Sequence, residues 1–238
     1  MPRTKGDEIE LGMEQVEAAL RERRWFAAES LAAEAVRKAR AAGRFGEIAR
    51  ILLPLQEARR QRAAEASEKG KVRILDEHPP EGSPIDSGLL LVQPPLVGAD
   101  ARRLRLAALE QEVPLLVACR EPLTRANTCP IVAIGETTLR VRIEPPRRPE
   151  APTKAWFLAA LEQLGDAAIA AIDPGQDLVR RIDHLIACLE THPDHEKLHQ
   201  VLAELCREAD RRGVVAAPRA ADAVDAASDD PDPDADEA

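Results

Sequence analysis

Only five of the 238 side chains are aromatic: Trp25, Phe26, Phe45, Trp156 and Phe157. There is no tyrosine. A core without large rings must be filled by aliphatic side chains and alanine, which favours closely packed helices over sheets sandwiched around aromatics. Apolar residues make up 45% of the chain, enough for a sizeable core. The same scarcity argues against single-strand or RNA binding, which stacks bases on exposed rings.

The net charge of −9 is uneven. The last 26 residues carry eight acids and one arginine, whereas residues 1–73 carry a modest excess of Lys and Arg. Duplex binding calls for a dense basic face, which this excess, spread over three helices, does not supply, so nucleic acid is not an expected partner. Cys119, Cys129, Cys188 and Cys206 stand far apart without a CxxC pair, unlike zinc-finger or thioredoxin spacing or a dense disulfide framework. The first residues are polar, and no apolar run approaches the ~18 residues that a membrane span needs. The expectation is a cytoplasmic protein without membrane contact.

Residues 7–69 read as three helices. Ile9, Met13, Val16 and Leu20 recur at helical steps. Trp25, Ala28, Ala32, Ala35, Val36 and Ala39 form a second stripe, and Ile48, Ile51, Leu52 and Leu55 a third. Gly43 suits the left-handed position that ends a helix, and Pro54 should kink the third helix. Trp25-Phe26-Ala27-Ala28 with Ala32 and Ala35, and then Gly43-Arg44-Phe45 with Ile48 and Leu52, resemble the signature of tetratricopeptide repeats. The two signatures lie 20 residues apart, not the 34 of that family. The likeness therefore implies a three-helix stack of tetratricopeptide type rather than a regular array, over about a quarter of the chain.

Residues 71–145 change character. Val72–Leu75 is a short strand and Leu89–Val92 an apolar run buried on both faces. Ala99–Glu112 is a helix stopped by Pro114, and Leu115–Ala118 is a further strand. This is a βαβ unit with parallel strands. Ile131–Ile134 and Leu139–Ile143 flank a turn and read as a hairpin, with Arg140 and Arg142 on a solvent face. After a proline-rich linker, residues 152–212 read as helices over Thr153–Gly165, about Gly175–Thr191 and Pro193–Arg212. Residues 213–238 form an acidic tail expected to be disordered. The fold class is α+β, mostly helical, in four parts: a tetratricopeptide-like stack, a small mixed sheet, a helical module and the tail.

Four groups of residues are candidates for chemistry. His184, Cys188, His192, His195, His199 and Cys206 have metal-ligand spacing, but at 100° per residue they do not converge, so solvated histidines, buried thiols and no metal are expected. Gln93, Gly98, Asp100 and Arg120, followed by Arg125 and Asn127, fall at the carboxyl ends of the parallel strands, where a helix N-terminus offers a ligand site. The bland alternative is that Asp100 caps the helix and Arg120 pairs with a nearby carboxylate. That segment faintly resembles a response-regulator receiver domain, but Gln93 stands where the phosphoacceptor Asp would, so phosphotransfer does not carry over. Glycine-rich and P-loop motifs are absent, no histidine lies near Cys119 in sequence, and no catalytic residue or cofactor is expected. Arg50, Arg59 and Arg60, with Arg44 and Arg62, form a basic helix end that could receive an acidic partner, including this chain's own tail. The leading expectation is a non-catalytic protein-interaction or scaffold protein with exposed Arg50, Arg59 and Arg60 at the partner surface. The alternative is a small-ligand or nucleotide-binding protein, an enzyme included, using the strand ends.

Overall fold

The computed structural model describes residues 5–68, 70–80 and 82–215, with side chains from Ile9 onward. Three helices open the chain, α1 (Lys5–Arg21), α2 (Trp25–Ala41) and α3 (Phe45–Glu68). The sheet region follows as β1 (Val72–Leu75), β2 (Gly88–Val92), α4 (Gly98–Glu110), β3 (Leu115–Arg120), β4 (Cys129–Ile134) and β5 (Thr138–Ile143). It ends with α5 (Lys154–Ala170), α6 (Leu178–Thr191) and α7 (Glu196–Arg211). The mostly helical α+β class is therefore observed. No described helix is long and apolar enough to cross a membrane. The acidic tail lies outside the described residues beyond Val215.

The helical stripes become packing surfaces. Ile9, Met13 and Val16 of α1 meet the alanine face of α2, where Ala32, Ala35 and Ala39 let the helices approach closely. Gly43 takes φ +67° at the α2–α3 turn. Its counterpart at the α1–α2 turn is Arg23, held at φ +58° without a glycine's freedom. Arg23→Gly is therefore expected to raise stability by about 0.5–1 kcal/mol, read by urea denaturation. An unchanged or lower midpoint would show that the Arg23 side chain contributes more than its backbone strain costs. Helix α3 continues through Pro54 over 24 residues, so the proline costs its own hydrogen bond without ending the helix.

The sheet has the order β1-β2-β3-β4-β5, parallel from β1 to β3 and antiparallel from β3 to β5. Leu89 and Leu91 point to the face covered by α3 and α5, and Leu90 and Val92 to the face covered by α4. Alternation thus explains the uninterrupted apolar run in β2. The expected hairpin is present, with Leu139 and Ile143 inward and Arg140 and Arg142 outward.

The N-terminal and C-terminal helices share one core. Ile48, Ile51, Leu52 and Leu55 of α3 pack with Leu198, Leu202 and Leu205 of α7, and the same cluster takes in Ile131 and Leu139 of the sheet. Arg40 of α2 reinforces this with a bidentate pair to Asp183 of α6, at 2.5 and 2.7 Å. The segments that read as separate parts in sequence are therefore layers around common hydrophobic contacts. Helix α7 begins at Glu196 rather than at Pro193, because the imidazole of His195 takes the N-cap and accepts the Leu198 N–H at 3.3 Å.

Candidate functional site

Parallel register sets the first site. Val92 lies opposite Cys119, so Gln93, just past β2, and Arg120, the last residue of β3, stand side by side at the strand ends. Arg120 Nε donates to Gln93 Oε1 at 3.0 Å and Nη2 reaches the same oxygen, while Nη2 also donates to the Pro149 carbonyl at 2.8 Å. Gln93 Nε2 in turn donates to Asp76 Oδ2 at 3.2 Å. The carboxylate expected to pair with Arg120 is not there: Glu121 accepts from Arg140 at 2.7 Å instead. Arg120, Arg140 and Arg142 line a cleft of about 460 Å³ with Gly98, Glu121, Thr124 and a proline-rich wall.

Gly98 opens α4 on this cleft, but close packing explains the glycine, since a Cβ there would stand 2.9 Å from the Ile134 side chain. Asp100 lies outside the cleft lining. Its carboxylate accepts the Val97 N–H at 2.8 Å and pairs with Arg103, the capping role that competed with ligand binding in the sequence. Arg125 and Asn127 are exposed in the following loop. Arg140 and Arg142 were readable only as a solvent face; the hairpin's fold back along β3 brings them to the strand ends.

The basic end of α3 is not a free cationic surface. Arg59 and Arg62 are each 7% exposed and enclose Glu29, itself 4% exposed, at 2.9 and 2.6 Å. Arg59 was expected at the surface; it is buried because α7 packs over this face of α3 and places His199 Nε2 3.2 Å from its Nη1. Arg60 is exposed and paired with Glu57 at 2.8 Å, Arg50 is exposed with Glu10 at 3.5 Å, and Arg44 pairs with Glu47 at 2.8 Å. Burial alone would raise the Glu29 carboxyl, but Arg59 and Arg62 overcome it and hold Glu29 below its usual range.

In the histidine and cysteine group, His192, His195 and His199 are buried rather than solvated, and His184 faces outward as expected. His192 Nε2–H donates to the Leu161 carbonyl at 2.9 Å, and His199 Nδ1–H donates to the His195 carbonyl at 3.0 Å, leaving Nε2 to accept from Arg59. Burial depresses both rings, His192 to about 4 and His199 to about 3. His195, with Nδ1 used as the cap, turns Nε2 toward Glu162 and Asp166 at 3.6 Å, where Lys197 bridges the two carboxylates at 3.1 and 3.0 Å. The cap bond places the ring proton on Nε2, so this group is an ion-pair cluster rather than a set of free donors for a metal. The four thiols are buried and free, and burial pushes Cys119 and Cys206 up to about 12 and Cys188 to about 11, so these three are not thiolates at neutral pH.

A third feature escaped the sequence reading. Helices α1, α3 and α7 border a groove of about 960 Å³ lined by Met13, Leu20, Leu53, Pro54 and Ala203, with Arg50 at its edge. Leu53 is 72% exposed. Its place beside Leu52 but off the inward stripe of α3 was the available signal. No family model, curated protein or solved structure matches this chain.

Proposed function

We propose that the chain is a non-catalytic protein-interaction module that holds an amphipathic segment of a partner in the groove between α1, α3 and α7. The observation that carries this reading is Leu53, a large apolar side chain left in water beside an apolar groove. The charged lining supports it and sets the partner's polarity. Glu17, Glu57, Glu204 and Asp210 outnumber Arg50 and Arg207, so the segment that fits carries basic flanks rather than acidic ones. The likeness of α1–α3 to a tetratricopeptide stack fits the same work, since such stacks hold protein segments against helix faces. The four unpaired thiols suit a reducing compartment, the cytoplasm.

Leu53→Asp places a charge where no core packing is lost, so the melting temperature should stay close to that of the parent. Recovery of a partner co-purified through a tag should drop about tenfold, the scale of a lost interface anchor. A second variant with the same charge change at exposed Leu123, outside the groove, should retain the partner. Equal recovery from both variants would remove the groove from the interface.

A further inference from the structure

We propose that the cleft at the carboxyl ends of β2 and β3 is an anion site for a small molecule bearing a phosphomonoester on an apolar body. The first observation is Arg120. Its guanidinium is half-buried, held by the neutral oxygens of Gln93 and Pro149, and among the described residues it enters no ion pair. A cation partly withdrawn from water and fixed in orientation, yet left with its full charge, is a preorganised partner for an oxyanion.

The second observation is the first turn of α4. Its N-cap residue, Val97, has no side-chain acceptor, and Asp100 satisfies only the Val97 N–H. The N–H groups of Gly98 and Ala99 have no acceptor within the helix, and Gly98 lines the cleft. The positive end of the helix dipole therefore adds to Arg120. The third is charge balance. Arg140 neutralises Glu121, so Arg120 and Arg142 leave the lining at +2, the complement of a phosphomonoester near −2 at neutral pH rather than of a carboxylate at −1. Pro94, Pro95, Pro122 and Pro130 supply a stiff apolar wall, and about 460 Å³ holds more than a bare phosphate.

The test uses the full chain and three probes at matched ionic strength: phenyl phosphate, benzoate and inorganic phosphate. Phenyl phosphate should give saturable binding by calorimetry and raise the melting temperature, with the other two at least about tenfold weaker. Replacing Arg120 risks releasing the linker it holds at Pro149. The decisive variant is therefore Gln93→Glu with Asp76→Asn, which gives Arg120 an internal carboxylate and keeps a hydrogen-bonded neighbour for residue 93. It should melt no lower than the parent and bind phenyl phosphate at least about tenfold more weakly. Arg142→Gln, at an exposed position, should weaken binding in the same direction. Absence of saturable binding to phenyl phosphate, or unaltered affinity in the folded double variant, overturns the site. Benzoate binding as tightly overturns the phosphomonoester head group, and inorganic phosphate binding as tightly overturns the apolar body.

Discussion

Glu29→Ala should lower the unfolding free energy by about 3–5 kcal/mol, measured by urea denaturation. The carboxylate is the common partner of two guanidiniums, Arg59 at 2.9 Å and Arg62 at 2.6 Å, and all three residues are buried. Without it, Arg62 keeps the longer contact to Asp194, at 3.4 Å, and the face of the Phe26 ring, and Arg59 is left against His199. Two like charges then face each other out of reach of water. Glu29→Gln should cost less, because its amide oxygen still accepts from one arginine. The triple variant Glu29→Leu, Arg59→Met, Arg62→Leu should recover most of the loss, since a buried ion pair offsets its own desolvation more than it stabilises. A loss below about 1 kcal/mol for Glu29→Ala would mean that this junction between α2, α3 and α7 opens to water.

Acid should destabilise the protein well before its surface carboxylates titrate. His192 and His199 fall from the ordinary 6.5 to about 4 and about 3, burial being the main cause in each. Asp194 opposes the shift at His192, while Arg105 and His195 add to it; at His199, Arg59 adds most. The folded protein thus keeps both rings neutral where the unfolded chain protonates them. Between pH 6.5 and about 4 the unfolded state binds more protons, so stability falls as the pH falls. Each ring contributes about 1.4 kcal/mol per pH unit over its window, and neither contributes a slope well above 6.5. Glu29 adds a loss of the same sign once the pH drops through its ordinary 4.5, because a lowered carboxyl stabilises only while ionised. The measurement is the unfolding free energy from pH 8 to pH 4.5, with the imidazole resonances followed by NMR. A flat free energy from pH 7 to 5, or the His192 or His199 ring titrating near 6.5 in the folded state, would contradict this burial.

Local signals carried much of the secondary structure. The stripes of α1–α3, the positive φ at Gly43, the two-faced run in β2 and the alternation in β5 all follow from periods and turn chemistry within a few residues. Even the adjacency of Gln93 and Arg120 follows once two strands are known to run parallel. The start of α7 was missed because two residues competed for its first turn. Pro193 has a helix-starting bias, but the His195 side chain supplies the hydrogen bond that decides the boundary.

What the amino-acid order determined by itself was which faces are apolar, which segments form helices and strands, and which residues carry charge. Only the tertiary structure decided what covers each face and which charge meets which. Leu198, Leu202 and Leu205 require a partner surface, and nothing within α7 says that α3 provides it. Arg59 and Arg60 are neighbours in sequence, yet one is sealed against Glu29 and His199 while the other pairs with Glu57 in water. Arg120 likewise keeps an unbalanced charge because Glu121, next to it in the chain, points to Arg140. Periodicity is a property of a segment, whereas ion pairing and burial depend on contacts between segments distant in the chain, which exist only after the layers have packed.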